Sequence, residues 1–191
     1  MSKLEGEIGA ISKSLTEKQR RFDTVMDSSR ELVRLSGTII TKLHNGDIRG
    51  ARGGLSKAKR ISKTLSKHRE FDYNTRQAQQ EYSEARIFYT IRTSRRIPSR
   101  VEVGTEGEAY LMGMMDVFGE LKREIVGSLS DGDLKSARFY HSIMISMFDA
   151  TRSIRFAEAV LQGFRRKQDV ARIQMESSAS ELLAFARNSR K

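Results

Sequence analysis

Apolar side chains in the first part of the chain have the spacing of one long helix. Leu4, Ile8, Ile11 and Leu15 begin a stripe that continues in steps of three, four and seven residues to Leu43. Roughly 40 residues at 1.5 Å each give a helix of about 60 Å. One small domain cannot cover a helix of that length, so we expect it to pack along a partner or another subunit.

Turn residues and apolar periodicity divide the rest of the chain into further helices. Asn45 and Gly46 end the first helix, and Asp47 can cap the second, a short basic segment over 47–70. A similar Gly-Asp turn precedes the fifth helix. We predict the third to sixth helices at about 75–93, 108–128, 133–163 and 165–189, with 94–108 as the one clear loop.

The composition supports an all-α protein with one domain over 1–191. Pro98 is the only proline, and proline otherwise punctuates turns and sheet edges. The chain has no cysteine, which excludes disulfides, thiolate zinc sites and cysteine nucleophiles. No apolar stretch approaches the ~20 residues of a membrane span, and the start does not resemble a signal peptide. We therefore expect a cytoplasmic protein.

The chain is strongly basic, with a net charge of +11 and a pI of about 10.1. Such a field favours polyanions, with nucleic acid ahead of anionic membrane surfaces. Adaptation to a salty or hot cytoplasm, or a place beside the ribosome, would also give a basic protein. Charge alone therefore favours nucleic-acid binding without proving it.

Four acidic residues stand where apolar side chains are expected. Glu81 and Glu84 flank the apolar stripe of the third helix and share one face. Asp116 interrupts the apolar run of the fourth helix, and Glu120 follows on the same face. Gly113 lies one turn before Asp116. Buried carboxylates repel one another, and a divalent cation removes that repulsion. Oxygen ligands suit Mg²⁺ or Mn²⁺, so these acids are a candidate metal site.

The spacing also allows a simpler interpretation. Acids three residues apart on a helix are most often a solvated face. Asp116 or Glu120 could form a salt bridge with an arginine such as Arg86 or Arg123. The acid spacing by itself leaves both interpretations open.

The same segments resemble the translin family. Residues 80–85 (QEYSEA), followed by Phe88, resemble the Q-E-Y-V-E-A…F segment of the translin-associated factor X type. Residues 110–121 resemble the Y-L-L-G-x-x-D-x-x-G-E-L helix of the family. Residues 28–31 match its S-R-[DE] motif and 131–133 its G-D turn, so the resemblance covers nearly the whole chain.

The resemblance implies a fold, an assembly and an activity. The expected fold is an elongated antiparallel bundle of about six to seven helices, assembled into a hollow homo-oligomer, in the family an octamer, around nucleic acid. Translin itself binds single-stranded DNA and RNA but lacks the acids, whereas the factor X type is a Mg²⁺-dependent endoribonuclease. By this resemblance Glu81, Glu84 and Asp116 are catalytic and metal-binding, and Glu120 matches a further acid of the motif.

The nucleic-acid-binding residues must be chosen by their chemistry. The loop between the two carboxylate helices is short, and the basic binding segment of translin has no clear counterpart here. Basic side chains on the first three helices are therefore the candidates, although each could be a solvated charge. They are Arg30, Arg34, Lys59, Arg60, His68, Arg69 and Arg76.

The remaining polar residues give weaker evidence of a functional site. The histidines are too scattered for a triad or a zinc site, and His141 reads as a core residue. The basic run 165–167 opens the last helix and is either solvated or faces phosphate. The sequence therefore favours a homo-oligomeric endoribonuclease using Mg²⁺ or Mn²⁺. The alternatives are a non-catalytic binder of single-stranded RNA or DNA and a structural helical partner.

Overall fold

The computed structural model describes residues 2–188, and within them it contains helices and no strand. None of these helices combines the length and apolar composition needed to cross a membrane. The predicted all-α class is confirmed. The helices are α1 (Lys3–His44), α2 (Ile48–Leu65), α3 (Asp72–Ser94), α4 (Arg100–Val103), α5 (Gly107–Ser130), α6 (Leu134–Thr151) and α7 (Phe164–Asn188).

Aspartate caps begin two of the helices, as the sequence predicts. The Asp47 carboxylate accepts a hydrogen bond of 2.8 Å from the backbone N–H three residues on, at the start of α2. Asp133 does the same at 2.9 Å for α6. Gly46 and Gly132 precede these caps with φ of 75° and 76°, a left-handed conformation that glycine adopts without strain.

Two predicted segments differ from the structure near the middle of the chain. The basic segment 47–70 is helical only to Leu65, and a 3₁₀ turn over Arg69–Phe71 then leads into α3. The predicted loop 94–108 contains the single turn of α4, because Ser99 and Glu102 form a reciprocal capping box.

The predicted helix over 133–163 is wrong in its second half. Helix α6 ends at Thr151, and turns and irregular backbone occupy 152–163. The Thr151 carbonyl accepts a buried hydrogen bond of 2.7 Å from the Gln168 side chain of α7. The helix end is thus satisfied by a residue far along the chain, which local periodicity does not reveal.

Helices α3 and α5 form the centre of the bundle. Helix α3 packs against α1, α2 and α5, and α5 packs also against α6 and α7. Tyr82 and Phe88 of α3 and Phe118 of α5 are fully buried there. Helix α1 joins this core only from Phe22 onward. Its first apolar side chains are 54–65% exposed, namely Leu4, Ile8, Ile11 and Leu15.

The backbones of α3 and α5 touch at Gly113. A Cβ atom on Gly113 would lie 2.7 Å from the Gln80 carbonyl oxygen and 2.8 Å from the Glu84 nitrogen. These distances are shorter than van der Waals contact, so only glycine fits. The contact also brings Asp116, one turn further along α5, against the acidic face of α3.

We expect Gly113→Ala to lower the free energy of unfolding by about 1–3 kcal/mol, because the added methyl group overpacks the α3–α5 contact. Urea unfolding of the metal-free protein measures this. Gly119→Ala on the same helix is the matched control, since its Cβ would meet only the Gln174 side chain, at 3.6 Å. Equal effects of the two substitutions would contradict the special role of Gly113.

Candidate metal centre

The four predicted acids converge between α3 and α5. Glu84 is buried, with 8% of its surface exposed, and burial raises its pKa to about 8. Repulsion from the neighbouring carboxylates of Asp116, Glu81 and Glu120 contributes to this rise, whereas the Lys167 ammonium opposes it. Glu84 therefore carries a proton at neutral pH when no cation is present.

Glu81 shares this environment to a smaller degree. Burial is the largest cause that raises the pKa of Glu81, followed by repulsion from Asp116. The nearby Lys167 ammonium lowers the same pKa. Glu81 and Glu84 thus respond to the same two charges, which places both side chains on one site.

Asp116 is held from two sides. The Gln80 side-chain amide of α3 donates a hydrogen bond of 2.6 Å to its Oδ2 atom. The Lys167 ammonium of α7 forms an ion pair with its Oδ1 atom. The alternative in which Asp116 pairs with Arg86 or Arg123 is therefore wrong for this acid.

Glu120 is held by a buried histidine from α1. The His44 Nε2 atom contacts the Glu120 carboxylate, and its Nδ1 atom lies 2.7 Å from Oε1 of Glu124. Arg92 of α3 pairs with the other oxygen of Glu124. Glu120 thus has a partner other than Arg86 or Arg123. This chain of contacts joins α1, α3 and α5 and orients Glu120, as outer contacts often orient carboxylates in metal sites.

The donor set suits a hard divalent cation, although the side chains are not yet arranged around one. Within residues 2–188, no three His, Asp or Glu side chains form a group that could hold a metal ion as they stand. Asp116 and Glu120 are turned toward Lys167 and His44 instead. No described residue donates a hydrogen bond to the Glu84 carboxyl group, so this buried group is available to a cation.

Two of the predicted nucleic-acid-binding residues line one groove. Arg69 and Arg76 lie between the start of α3 and the α4–α5 connection, paired with Glu106 at 3.3 Å and Glu108 at 3.4 Å. A second groove also contains Arg76 and reaches Gln80, which contacts Asp116. Arg76 therefore lines both grooves, whereas Arg69 lines only the first.

The other five predicted basic residues lie on or beside α1 and α2. Arg30 is exposed and paired with Asp27 at 3.3 Å. His68 is half-buried before the 3₁₀ turn. The rest are exposed and form no ion pair within the described residues, namely Arg34, Lys59 and Arg60. No contact joins any of these five to the acids.

Sequence reasoning missed three side chains of the site, namely Gln80, His44 and Lys167. Gln80 was recognised only as part of a motif. His44 gave no signal, because its partners Glu120 and Glu124 lie 76 and 80 residues further along the chain. Lys167 belongs to a basic run in the first turn of α7, where a helix favours acids, and this departure was the available signal.

Comparison with known sequences gives one relative of unassigned role. No family model matches the chain. The uncharacterized protein MJ0175 of Methanocaldococcus jannaschii is 26% identical over 187 residues, which cover 95% of this chain and 84% of that protein. This likeness extends over the whole bundle.

Comparison with solved structures places the fold in a known class. The crystal structure of AfC3PO matches with a TM-score of 0.90 and 26% identity. The match covers 97% of this chain and 100% of that one. The structure of AfC3PO in complex with duplex RNA matches with a TM-score of 0.86 and 26% identity. The match covers 94% of this chain and 96% of that one. The structure of apo-NeC3PO matches with a TM-score of 0.82 and 23% identity, over 97% of this chain and 98% of that one, and supports the fold.

The fold and its neighbours define a translin-type helical bundle with acids between its two central helices. Over nearly its whole length the chain is similar to solved C3PO structures, which have this translin-type fold. The family resemblance inferred from the acidic segments is thereby confirmed.

We expect Glu84→Gln to stabilise the metal-free protein at neutral and alkaline pH. The pKa of Glu84 rises from 4.5 to about 8 on folding. The folded state holds a proton that the unfolded chain has lost between these values, so stability falls as pH rises from about 4.5 to 8. The substitution should remove that fall, by on the order of a few kcal/mol.

Urea unfolding between pH 5 and 8.5 measures this difference. Glu108→Gln, which replaces an exposed acid of the neighbouring helix α5, is the control and should leave the pH dependence unchanged. A wild-type stability curve that the Glu84 substitution leaves unaltered would mean that Glu84 ionises normally.

Proposed function

We propose that this protein is a metal-dependent endoribonuclease that acts with Mg²⁺ or Mn²⁺ at the acids between α3 and α5. The observation that carries the proposal is the buried Glu84 carboxyl group, which has no hydrogen-bond donor and faces three other acids. A structural role would not require four acids beside the close α3–α5 contact at Gly113. A cation site gives them a common purpose.

Two observations support RNA as the substrate. The net charge of +11 favours a polyanion. A structural neighbour with 26% identity, AfC3PO, was solved with duplex RNA. Basic side chains would contact the RNA backbone without reading its sequence. We propose Arg30, Arg34, Lys59, Arg60, His68, Arg69 and Arg76 for this role.

The acids have separate tasks in the proposed reaction. Glu81, Glu84 and Asp116 would hold the cation, with Glu120 assisting, after Glu84 has released its proton. When bound, Mg²⁺ supplies a Lewis acid that stabilises negative charge on the phosphoryl oxygens. Gln80 orients Asp116, and His44 orients Glu120.

The reaction is a hydrolysis of one phosphodiester bond. The oxygen of a water molecule bonds to phosphorus, and the bond from phosphorus to one ribose oxygen breaks. The leaving ribose oxygen takes up a proton, and the phosphate stays on the other product. Burial of the acids limits access by bulk water, which strengthens the electrostatic stabilisation of the phosphoryl charge.

A second candidate is a container that binds single-stranded RNA or DNA without cutting it. The observation in its favour is that Asp116 and Glu120 already have protein partners, Lys167 and His44. In that case the acids would serve as internal ion pairs of the bundle. Metal-dependent cleavage separates the two functions.

We expect purified protein to cut a labelled single-stranded RNA in Mg²⁺ and to stop in EDTA. Asp116→Asn should reduce the cleavage rate by roughly 100-fold or more, because the loss of one charge-stabilising group typically slows a reaction by that much. Asp149→Asn, an exposed acid of α6, is the matched control and should cut normally. Gel analysis of the products measures all three.

Glu81→Ala combined with Glu84→Ala separates chemistry from binding. This double variant should abolish cleavage and leave RNA affinity in EDTA unchanged, because the acids do not contact the RNA backbone. Binding without cutting in both Mg²⁺ and Mn²⁺ by the wild-type protein would favour the container. Loss of binding by a folded double variant would make the acids structural.

We also propose that the protein self-associates into a hollow oligomer, as the family resemblance implies. Support comes from the apolar stripe at the start of α1, where Leu4, Ile8 and Ile11 are more than half exposed. A single chain leaves this stripe in water, and association with further copies would cover it.

We expect Ile8→Glu with Ile11→Glu to shift the protein from an oligomer toward smaller species, down to the 21.7 kDa chain. Buried charge opposes association, and light scattering after size exclusion measures the mass. Lys13→Glu changes the net charge equally on the opposite face of α1 and should not alter the mass. A wild-type monomer would contradict the proposed assembly.

A further inference from the structure

The first turn of α7 contradicts a general rule of helix electrostatics. Arg165, Arg166 and Lys167 follow one another there, although the positive end of the helix dipole disfavours cations. Arg165 and Arg166 are exposed and form no ion pair within the described residues. Lys167 instead reaches back to Asp116. Cations at the positive end of a helix dipole are electrostatically unfavourable, and their position at the edge of an acidic cluster points to a functional reason.

Lys167 acts on three of the four acids. Its ammonium contacts Asp116 and lowers the pKa of both Glu81 and Glu84. It thus stands where a divalent cation would need the same carboxylates. Its side chain is 28% exposed, and its flexible four-carbon stem lets the ammonium move while the helix stays in place.

We propose that Lys167 is a further catalytic residue, which pairs with Asp116 in the metal-free protein and contacts the scissile phosphate once a divalent cation occupies the acids. The proposal rests on the endoribonuclease function proposed above. An ammonium and a dication compete for one carboxylate, so metal binding releases Lys167. The released charge then lies beside the site where a phosphate must approach, and lysine binds phosphate as a point charge.

The alternative is that Lys167 only ties α7 to α5. The chain offers a matched control for that role. Lys122 of α5 also links these two helices, through Ser177 at 2.9 Å and Glu181 at 3.6 Å. Its side chain is 31% exposed, close to the 28% of Lys167, but its partners lie outside the acidic cluster.

The first arm of the test measures Mg²⁺ binding to the protein without RNA, by titration calorimetry. We expect Lys167→Met to bind Mg²⁺ at least about threefold more tightly than wild type, because the competing charge is gone. Lys167→Arg and Lys122→Met should bind Mg²⁺ like wild type. A purely structural tie would instead give equal or weaker binding in Lys167→Met.

The second arm measures cleavage of a labelled single-stranded RNA at saturating Mg²⁺. We expect Lys167→Met to cut roughly 10- to 100-fold more slowly, with Lys167→Arg retaining most of the rate and Lys122→Met unaffected. RNA affinity in EDTA should change by less than about threefold, since Lys167 is paired with Asp116 and does not contact phosphate in the metal-free protein. The signature is tighter metal binding together with slower cutting.

Each other result counts against the proposal. Unchanged or weaker Mg²⁺ binding by Lys167→Met overturns the competition for Asp116, and unchanged cutting overturns the phosphate contact. If circular dichroism shows that Lys167→Met is unfolded, Lys167→Gln replaces it with the same expected signs. If the wild-type protein cuts no RNA in Mg²⁺, the proposed function fails and the phosphate contact with it. The calorimetric arm then still decides whether Lys167 competes with the cation.

Discussion

The contact between the backbones of α3 and α5 at Gly113 is the constraint on which the site depends. With no Cβ at this position, α5 lies directly on Gln80 and Glu84 of α3. The acids that flank the contact are therefore pressed into one small volume, largely removed from water. Their mutual repulsion and desolvation then determine how the surrounding side chains must behave.

A bound proton and side chains from distant parts of the chain reduce that repulsion. Glu84 keeps a proton, because burial raises its pKa to about 8. Asp116 takes the Lys167 ammonium of α7, and Glu120 takes a ring nitrogen of His44 from α1. Partly buried polar contacts of this kind contribute little net stability compared with apolar packing. Their presence at the centre of the bundle is better explained by chemistry that needs the acids than by a gain in folding free energy.

The basic surface and the acidic centre are linked through α3. Arg76 lies in the groove at the start of this helix, and Gln80, one turn further on, contacts Asp116. One helix therefore connects a surface suited to phosphate with a centre suited to a cation. In the proposed function, this arrangement would hold a polyanion by its backbone while one of its phosphates approaches the acids.

The sequence by itself determined the features that depend on neighbours within a few residues. Helical periodicity, the Asp47 and Asp133 caps, and the shared faces of the acids follow from local geometry, and their family resemblance is confirmed by the fold. Only the tertiary structure decided that α6 ends at Thr151 and that His44 and Lys167 complete the site. These features depend on side chains brought together from distant helices, and no pattern along one helix encodes which partner from another helix will meet it.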